Sequence, residues 1–377
     1  MSNFYCAAPW RGLHINPRGD VKTCCAGNPN MLGNLNDQNI EEVLQGPKLQ
    51  EIRRSLRQGI AHEYCSNCVN AEKFGNSERD WHNTINHDFD STQASDTEHI
   101  PTLIDVRWNT TCNLSCNYCN PLASSKWAQL KNIPFKSGTR PYYEQVCDYI
   151  NQYRPHIREV ALVGGEPLLL PENERLLDVI PEDCLVTVIT NMSVTLETNK
   201  IFKKLAQRKQ VGWSMSFDNI GSQFEYVRYG ADWNLLQHNL TVIKELFARG
   251  HRGGIHAVYS MYNATCLSNL FDWAKSQQLT VHFQTVHAPP YLNPTNHNQA
   301  VQDIALDEIN KVLARTDLTD SERNFLSQVK ESYNQPATQD SSKELLDFIN
   351  QIELTYHSNT KGQFAQLWPE LAELIEV

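Results

Sequence analysis

The hydrophobic pattern in the middle of the chain changes repeatedly between two periods. Short apolar segments alternate with longer segments whose apolar residues recur at helical spacing. Segments of the first kind are predicted strands: Leu103–Trp108, Glu159–Val163, Leu185–Thr190, Val211–Phe217, Ile255–Met261 and Val281–Val286. Segments of the second kind are predicted helices: Tyr142–Tyr153, Pro171–Ile180, Thr195–Arg208, Asn234–Arg249 and Cys266–Gln277. Because strands that alternate with helices pair in parallel through right-handed crossovers, residues 100–290 are predicted to form an α/β domain.

The regions on either side of this domain have different patterns. After residue 290 the chain becomes polar, and apolar stripes at helical spacing predict three or four amphipathic helices. We expect this C-terminal extension, residues 291–377, to pack on the side of the sheet or on its unpaired edge strand. Its segment Asn334–Ser342 is predicted to be a loop. Residues 83–99 are polar and lack periodicity, which predicts a linker.

Residues 1–82 are predicted to form a separate cysteine-rich module. Leu13–Ile15 and Val21–Cys24 flank a turn that contains glycine, a pattern typical of a β-hairpin. Such a hairpin brings Cys6 and Cys24 together at its open end.

A helix is predicted in the second half of this module. The segment Lys48–Arg57 is amphipathic, and we expect it to deliver Cys65 and Cys68 to the same place. The module is therefore predicted to gather four thiols.

A second group of cysteines lies on one short loop after the first predicted strand of the α/β domain. Three thiolates in a C-x3-C-x2-C run can ligate one iron-sulfur cluster, and a cubane of four irons then keeps one iron open for chemistry. Zinc is the alternative, but zinc sites usually use four protein ligands, and no fourth Cys or His lies beside this loop. The three residues are Cys112, Cys116 and Cys119.

Composition and charge narrow the class of protein. The 377 residues suffice for one large core with additions or for two to three domains. A hydrophobic content of 40% is typical of a globular protein, and no apolar run reaches the ~18 residues of a membrane span. The N-terminus lacks the regions of a secretory signal, so we expect a cytosolic protein whose eleven cysteines are metal ligands and buried thiols. The net charge of -10 argues against nucleic-acid binding through the overall field, although it leaves room for a local basic patch.

The loop from Cys112 to Cys119 resembles the cluster loop of the radical S-adenosylmethionine (SAM) enzymes, including the aromatic Tyr118 before the last cysteine. The resemblance implies a 4Fe-4S cluster on Cys112, Cys116 and Cys119, with SAM on its open iron. In that family an electron from the cluster cleaves SAM to methionine and a 5′-deoxyadenosyl radical, which abstracts hydrogen from a substrate. The resemblance also implies a low-potential electron donor, a flavodoxin or ferredoxin, and a partial (β/α)6 TIM-like barrel over residues 100–290.

The N-terminal module resembles the SPASM and twitch modules, which carry auxiliary 4Fe-4S clusters in the same family. The matching residues are Cys6, Gly19, Cys24, Cys65 and Cys68. In familiar members the module follows the barrel, whereas here it precedes it, and four cysteines fit one auxiliary cluster only. Cys24 and the adjacent Cys25 are both candidates for the same ligand position, and the spacing from Gly19 favours Cys24. Four thiolates also suit a closed structural zinc site; if they hold a cluster, full ligation favours electron transfer or a structural role.

Further candidates lie where the predicted strands end, the edge at which barrels of this kind carry their chemistry. Gly164-Gly165-Glu166 resembles the family motif that positions the amino group of SAM, and its glycines let a ligand approach the backbone. Hydroxyl and amide side chains at the next strand ends suit the ribose or carboxylate of SAM. Each is equally suited to cap a helix, except that the places of Ser216 and Asp218 favour a functional role. The residues that the resemblance places around SAM are Tyr118, Gly164, Gly165, Glu166, Thr190, Asn191, Ser216, Asp218 and His287.

Two residues are candidate catalytic groups beyond the cysteine ligands. Arg228 lies among aromatic residues on a predicted loop, where it can pair with a substrate anion, or structurally with Asp218 or Asp232. Cys266 follows the fifth strand, where a thiol can return a hydrogen atom to a substrate radical, although free cysteines more often pack in a core. We expect a peptide or protein substrate, as for many family members with auxiliary clusters. The alternatives are a small metabolite such as a nucleotide, sugar or amino acid, or a non-catalytic zinc-binding scaffold.

Overall fold

The computed structural model describes residues 4–28, 32–72, 77–135, 140–286, 288–334 and 340–375. In this part of the chain nine strands form one sheet. The strands are β1 (Gly12–Ile15), β2 (Asp20–Lys22), β3 (Gly33–Asn34), β4 (Leu103–Val106), β5 (Glu159–Leu162), β6 (Leu185–Thr190), β7 (Val211–Ser216), β8 (Arg252–Tyr259) and β9 (Val281–Thr285). Their order across the sheet is β3-β2-β1-β4-β5-β6-β7-β8-β9.

Short helices surround the N-terminal strands, a second group connects the parallel strands, and a third group follows the last strand. The first group is α1 (Ala8–Arg11), α2 (Ile40–Leu44), α3 (Pro47–Arg57), α4 (Ser66–Glu72) and α5 (Glu78–Ile85). The second group is α6 (Ser125–Leu130), α7 (Tyr143–Gln152), α8 (Pro171–Val179), α9 (Lys200–Leu205), α10 (Gly221–Val227), α11 (Trp233–Phe247), α12 (Met261–Ala264) and α13 (Leu267–Ser276). The third group is α14 (Gln299–Leu313), α15 (Asp320–Ser332), α16 (Ser342–Gln351), α17 (Gln363–Leu367) and α18 (Pro369–Ile375).

The six strands predicted in the middle of the chain are present as β4 to β9, and each neighbouring pair among them is parallel. The predicted α/β class with a helical C-terminal extension is therefore confirmed. The strand β8 begins at Arg252 rather than at the predicted Ile255. Gly253 and Gly254 interrupt the apolar pattern there, yet both pair in register with β7.

Most of the predicted helices are present, and one is shorter than predicted. In place of a helix over Thr195–Arg208, a 3-10 turn at Leu196–Thr198 precedes α9. The side chain of Asn199 accepts a hydrogen bond from Phe202 N and so begins a new helix there. The predicted loop Asn334–Ser342 lies mostly outside the described residues.

The hairpin of the N-terminal module continues the sheet of the α/β domain. Its strands β1 and β2 are antiparallel, as predicted, but β1 also pairs in parallel with β4 from Gly12 opposite Leu103 to Ile15 opposite Val106. Side chains of β1 and β4 enter the same hydrophobic core. The domain boundary near residue 82 stays a prediction, since the sheet and the core both cross it.

Residues 83–99, which were predicted to be a linker, are packed against the start of the sheet. The helix α5 continues into this segment, and the side chains of Asn86 and His99 are buried. Thr102 Oγ1 donates to Asn86 Oδ1 at 2.7 Å, and His99 Nε2 donates to Gly12 O at 3.0 Å. These contacts are polar, so a search for hydrophobic periodicity does not detect them.

The two faces of the sheet differ in polarity. On one face, side chains such as Val160 and Phe283 belong to the main core beneath the helices. The opposite, inner face carries the alternate positions, which on β9 are the exposed His282 and Gln284. The structure thereby decides which face of β9 is inner, a point that alternation alone leaves open.

Helix α5 covers the N-terminal end of the inner face. The ring of His82 lies so close to Gly12 that a Cβ atom there would come within 2.6 Å of it. Trp81 Nε1 donates to Glu159 Oε2 at 3.3 Å. Because Gly12 and Glu159 begin β1 and β5, α5 occupies the end of the inner face where the strands start.

Helix α15 covers the edge strand β9, in agreement with the expectation for the C-terminal extension. Phe325 stacks on Phe283 with ring centres 5.1 Å apart. Glu322 Oε1 accepts a hydrogen bond of 2.8 Å from Val281 N, a backbone group of the edge strand. None of the helices described is long and apolar enough to cross a membrane.

Candidate functional site

The three cysteines of the α/β domain lie on residues 112–119, which we call the cysteine loop. This loop follows the C-terminal end of β4. The C-terminal ends of parallel strands meet at one edge of a sheet, so the cysteine loop lies at the same edge as the ends of β5, β6 and β7.

Hydrogen bonds from two sides hold the backbone of the cysteine loop. Ser115 N donates to Tyr229 O at 3.0 Å, and a second bond of 2.8 Å joins Asn117 N to the last residue of α10. From α6, Trp127 Nε1 donates to Cys116 O at 2.8 Å. These bonds position the middle cysteine without any ligand.

Burial makes the three thiols weak acids. It raises the pKa of Cys112 to about 11 and also raises the pKa values of Cys116 and Cys119. The guanidinium of Arg228 offsets part of the rise in pKa at Cys116 and Cys119, because a nearby cation favours the thiolate. Iron binds thiolates, so loading this site releases protons, and Arg228 reduces the free-energy cost of that release.

Arg228 itself forms a buried ion pair beside the loop. Its Nε donates to Asp218 Oδ2 at 3.0 Å, and the two side chains are 7% and 0% exposed. Asp218 Oδ2 also accepts from the Tyr118 hydroxyl at 2.9 Å, and Asp218 Oδ1 accepts from Val258 N at 2.7 Å. Of the alternatives for Arg228, the structure shows the pair with Asp218. Tyr118, Asp218 and Arg228 thus form one buried support for the cysteine loop.

The glycines after β5 let the chain before Cys112 come close. A Cβ atom on Gly165 would lie 2.2 Å from Thr111 O, and Glu166 N donates to the same oxygen at 2.8 Å. Gly164 has a φ of 141°, a value that favours glycine. A ligand was expected to approach the backbone here, but at Gly165 the close neighbour is the chain itself.

Glu166 is fully buried and joins the ends of β5 and β6. Its Oε1 accepts from Thr190 Oγ1 at 2.9 Å and from Leu168 N at 3.0 Å, and its Oε2 accepts from Asn191 N at 2.7 Å. Burial raises the pKa of Glu166 to about 7, although these three donors favour the ionised form. The carboxyl group is therefore surrounded by groups of its own chain.

Two of the remaining candidates around SAM lie on the described strand ends. Asn191 Nδ2 is 3.7 Å from Cys112 Sγ, which brings the end of β6 to the cysteine loop. Ser216 is the last residue of β7 and lies opposite His256 of β8. His287 lies outside the described residues.

Cys266 lies between α12 and α13, against the C-terminal helices. Its thiol is 3.7 Å from Gln223 Oε1 and from Tyr262 O, and it accepts from Asn219 Nδ2 at 3.6 Å. Burial raises its pKa to about 11. These contacts match the packing alternative for Cys266, and none of them is to the cysteine loop.

The four cysteines of the N-terminal module approach one another. Burial, together with the nearby thiols of Cys65 and Cys68, raises the pKa of Cys6 to about 12. The pKa of Cys24 is likewise raised by burial and then by Cys6 and Cys65. Cys6 and Cys65 therefore lie within electrostatic reach of each other and of both Cys24 and Cys68, as ligands of one cluster must.

The adjacent Cys25 has a different environment. Its pKa is raised by burial and then by the carboxylates of Glu78 and Asp105. Cys6 and Cys65 act strongly on Cys24 but are not among the strong influences on Cys25. These electrostatic influences favour Cys24 over Cys25 as the fourth ligand.

A partly exposed ion pair supports this second site. Arg79 donates from Nε and Nη2 to the two oxygens of Glu72 at 2.8 and 2.9 Å, and the side chains are 24% and 21% exposed. Glu72 Oε1 also accepts from Cys68 Sγ at 3.8 Å. The Lys22 ammonium donates to Cys25 O. Both signs of charge therefore surround the thiols.

The two groups of thiols offer the numbers of ligands that two iron-sulfur clusters need. In a four-iron cluster each cysteine binds a different iron. The cysteine loop offers three ligands and the module four, which suit a cluster with one open iron and a fully ligated cluster, respectively.

The structure also brings a residue of the C-terminal extension to the cysteine loop, which sequence analysis did not find. His357 is fully buried, its Nε2 is 3.1 Å from Ser115 Oγ, and its ring stacks on Tyr229 at 3.7 Å. Nearby, Glu353 Oε1 accepts from the Tyr226 hydroxyl at 3.0 Å. Ser115 and His357 are far apart in the chain, so no local sequence pattern relates them.

Two family models match the chain. The model of the iron-sulfur cluster-binding domain SPASM matches residues 6–69, and the model of the radical SAM superfamily matches residues 106–268. The search for similar curated proteins finds no match.

The chain is also similar to several solved structures. Streptococcus suis SuiB bound to S-adenosylmethionine is 16% identical, with a TM-score of 0.39 over 57% of this chain and 46% of SuiB. anSMEcpe with bound AdoMet and Cp18Cys peptide is 15% identical, with a TM-score of 0.40 over 54% of this chain and 57% of that chain. SuiB bound to the precursor peptide SuiA is 14% identical, with a TM-score of 0.41 over 74% of this chain and 64% of SuiB. The chain thus spans about half the length of the first two structures.

The family models cover both cysteine sites. Cys112, Cys116 and Cys119 fall within the radical SAM match, and all four cysteines of the N-terminal site fall within the SPASM match. The cofactors are a 4Fe-4S cluster with SAM in the radical SAM domain and an auxiliary iron-sulfur cluster in the SPASM domain. Residues 106–268 therefore form a radical SAM domain, and a SPASM domain precedes it over residues 6–69.

Proposed function

We propose that this protein reductively cleaves SAM at a 4Fe-4S cluster on Cys112, Cys116 and Cys119, and abstracts a hydrogen atom from a peptide or protein substrate. When bound, the cluster and SAM supply a 5′-deoxyadenosyl radical. The observation that carries this proposal is the cysteine loop, which places three thiols at the C-terminal edge of a parallel sheet. Three protein ligands leave one iron of a cubane for a small molecule.

The chain's own residues prepare the loop before any ligand binds. Asp218 holds Arg228, and the guanidinium favours the thiolate forms of Cys116 and Cys119. The hydroxyl of Tyr118 ties the loop to the same carboxylate. In this proposal Tyr118, Asp218 and Arg228 act on the cysteine loop rather than directly on SAM or substrate.

We place SAM along the ends of β5, β6 and β7. The groups available there are the backbone after β5 and the side chains of Asn191 and Ser216. Glu166 holds Thr190 and the backbone of Asn191 in place, and so orients this edge. The contact of His287 with SAM and the hydrogen-donor role of Cys266 stay predictions.

An open sheet supports a peptide or protein substrate. The strands β3 and β9 end the described sheet on either side, and His282 and Gln284 on the inner face of β9 are exposed. His256 on this face lies opposite His282 and near Gln284, and burial lowers its pKa and so favours the neutral ring. Neutral groups that donate and accept hydrogen bonds are suited to the amides of a peptide.

A small metabolite is the second candidate substrate. The observation in its favour is α5, which occupies one end of the inner face and shortens the space above it. A peptide substrate and a metabolite are distinguished by mass spectrometry of candidate substrates after turnover, because hydrogen abstraction leaves a changed product only in the true substrate.

We assign the auxiliary cluster, on Cys6, Cys24, Cys65 and Cys68, to electron transfer or to structure. Four thiols leave no open iron for a substrate. A flavodoxin or ferredoxin is the proposed electron donor. The cytosol is the proposed location, because reducing conditions keep these thiols available.

The test is the iron and sulfide content of anaerobically purified protein, combined with 5′-deoxyadenosine formation after addition of SAM and dithionite. We expect about eight irons and deoxyadenosine from the wild type. The Cys112→Ala variant is expected to keep about four irons and to form no 5′-deoxyadenosine. Cys147→Ala is the matched control, since Cys147 is a buried thiol of α7 outside both sites, and it is expected to behave as the wild type.

Other outcomes have definite meanings. About four irons in the wild type, with deoxyadenosine formed, would reduce the N-terminal site to zinc or to structure. Zinc in place of iron at both sites would contradict the proposed function.

A further inference from the structure

Three large hydrophobic side chains are exposed around α6, the helix that follows the cysteine loop. Leu122, Ile133 and Leu354 are 81%, 44% and 59% exposed. In the described part of the chain, Ile60 is the only other large hydrophobic side chain exposed to this degree. Single exposed apolar residues are ordinary, but a concentration of them in one region is typical of a binding surface.

These residues lie on segments that adjoin α6. Leu122 precedes the helix, Ile133 follows it, and Leu354 belongs to the π-helical turn Ile352–Tyr356. That turn packs on the helix, because the rings of Tyr356 and Trp127 meet edge to face at 5.3 Å.

A lysine crosses the same contact. Lys131 Nζ lies 5.3 Å from the ring of Trp127 and 5.2 Å from the ring of Tyr356. A second lysine, Lys126, is half-buried on α6. We call the region formed by these side chains the α6 surface, and its members are Leu122, Lys126, Lys131, Ile133 and Leu354.

The chain segment around α6 is basic in an acidic protein. The chain has a net charge of -10, yet no Asp or Glu occurs between Asp105 and Glu144. Beside Lys126 a cavity of about 770 Å³ opens between α10 and the C-terminal helices. The acidic residue that lines it, Glu225, already accepts a hydrogen bond of 2.9 Å from Trp233 N.

The α6 surface also lies next to the cluster ligands. Leu122 is three residues after Cys119, and Trp127, on which Lys131 lies, donates its indole hydrogen bond to Cys116 O. A protein bound here contacts the segment that carries two of the three ligands.

We propose that the α6 surface is the docking site of an acidic one-electron donor protein. The donor loses one electron, which the cluster on the cysteine loop takes up. This inference rests on the proposed function, since that electron is the one needed to cleave SAM. Opposite charges steer the two proteins together. The exposed apolar side chains supply contact area from which water is expelled on binding.

The experiment measures the dissociation constant of the anaerobically reconstituted protein for oxidised flavodoxin and, separately, for oxidised ferredoxin. Oxidised donors cannot drive turnover, so binding is measured without activity. We expect at least one donor to bind, more weakly as salt is added. Leu122→Glu and Lys131→Glu are expected to raise that dissociation constant about tenfold or more.

Matched controls change the same residue types elsewhere on the surface. Ile60 is 56% exposed and Lys343 is 87% exposed, so Ile60→Glu and Lys343→Glu are expected to leave the dissociation constant unchanged. Lys131→Gln removes the charge more mildly and is expected to give an intermediate value.

Deoxyadenosine formation with dithionite separates this inference from the proposed function. Dithionite is small and needs no docking site, so all these variants are expected to match the wild type with it. No deoxyadenosine from the wild type would contradict the proposed function, whatever the donor binding. Dithionite activity with equal donor affinity in all variants, or with no donor bound, would overturn the docking site. If the variants instead lost substrate modification while dithionite still produced deoxyadenosine, the α6 surface would belong to the substrate.

Discussion

The two cysteine sites of this chain are built in opposite ways. Three thiols of the first site lie within one short loop, whereas the four thiols of the second come from separate segments between Cys6 and Cys68. Closing a short loop costs little conformational entropy, and gathering distant segments costs more. The first site therefore needs its surroundings only to fix the shape of the loop, while the second exists only when the module has folded.

The supports of the two sites differ in the same sense. Beside the cysteine loop, Asp218 and Arg228 are almost completely buried. Beside the second site, Glu72 and Arg79 keep about a quarter of their side chains exposed. Removing one partner from a buried ion pair leaves a charge without water, whereas an exposed charge is resolvated. The comparison indicates a rigid support at the catalytic site and a more tolerant one at the auxiliary site.

The largest expected effect tests which thiols belong to the auxiliary site. Cys24→Ala is expected to remove the auxiliary cluster and about half of the iron, because Cys24 lies among the other three thiols. Cys25→Ala is the matched control and is expected to keep all the iron, because Cys25 faces Glu78. Iron and sulfide analysis after anaerobic reconstitution measures both. The reverse result would make Cys25 the ligand.

The next effect tests the difference in burial between the two ion pairs. Asp218→Asn is expected to destabilise the cluster-free protein by about 3–5 kcal/mol, since Arg228 stays buried without its partner. Glu72→Gln is expected to cost about 1 kcal/mol or less, because Arg79 can reach water. The free energy of unfolding in denaturant measures both. Equal costs would mean that the two supports are alike after all.

A third prediction concerns carboxyl groups whose pKa values shift in opposite directions. Burial raises the pKa of Glu166 from 4.5 to about 7, so between these values the folded protein holds a proton that the unfolded chain has lost. Stability is therefore expected to fall by about 3 kcal/mol as the pH rises through this window. In Glu166→Gln that fall is expected to be absent, as measured by unfolding of the cluster-free protein from pH 4 to about pH 8.

Asp105, on the side of the auxiliary site, provides the opposite sign. Burial acts to raise its pKa, but His14 and Arg107 outweigh burial and hold the pKa well below its usual value of 3.8. Its contribution to stability is present above that pH and is lost in stronger acid. In Asp105→Asn, only the loss of stability in strong acid is expected to become smaller, while the rest of the profile of stability against pH stays the same. A wild-type profile for Glu166→Gln would contradict this part of the comparison.

The smallest expected effect tests the C-terminal contribution to the cysteine loop. His357 and His297 are both fully buried in the extension, but only His357 contacts the loop, while His297 Nε2 donates to Tyr291 O at 2.8 Å. Replacing either by alanine is expected to cost about 1–3 kcal/mol of stability. Only His357→Ala is expected to change the electron paramagnetic resonance spectrum of the reduced cluster with SAM and to slow deoxyadenosine formation a few-fold. Equal spectra for the two variants would limit His357 to a structural role.

Much of the parallel sheet could be predicted because its signals are local. An alternation of short apolar segments with amphipathic ones marks β4 to β9, and only the glycine-rich start of β8 escaped it. The cysteine loop was found for the same reason, since its three ligands are neighbours in the sequence. The packed segment over residues 83–99 was not found, because polar side chains such as Asn86 and His99 hold it.

The partners of the site residues were less predictable. Arg228 had two chemically reasonable partners in the sequence, and only the fold shows that the Asp218 carboxylate is within 3.0 Å of it. Glu166 was expected to face a ligand, and the structure gives it three donors from its own chain. Ser115 and His357 have no relation in the sequence at all. Each of these contacts depends on how distant strand ends and loops are brought together.

The sequence by itself determined the class of fold, the cysteines that can hold clusters and the family to which they point, because hydrophobic period and ligand spacing are properties of neighbouring residues. Only the tertiary structure decided that the N-terminal hairpin extends the main sheet and that the C-terminal extension reaches the cysteine loop. These outcomes depend on long-range burial, in which a buried polar group must find a partner wherever the chain happens to supply one.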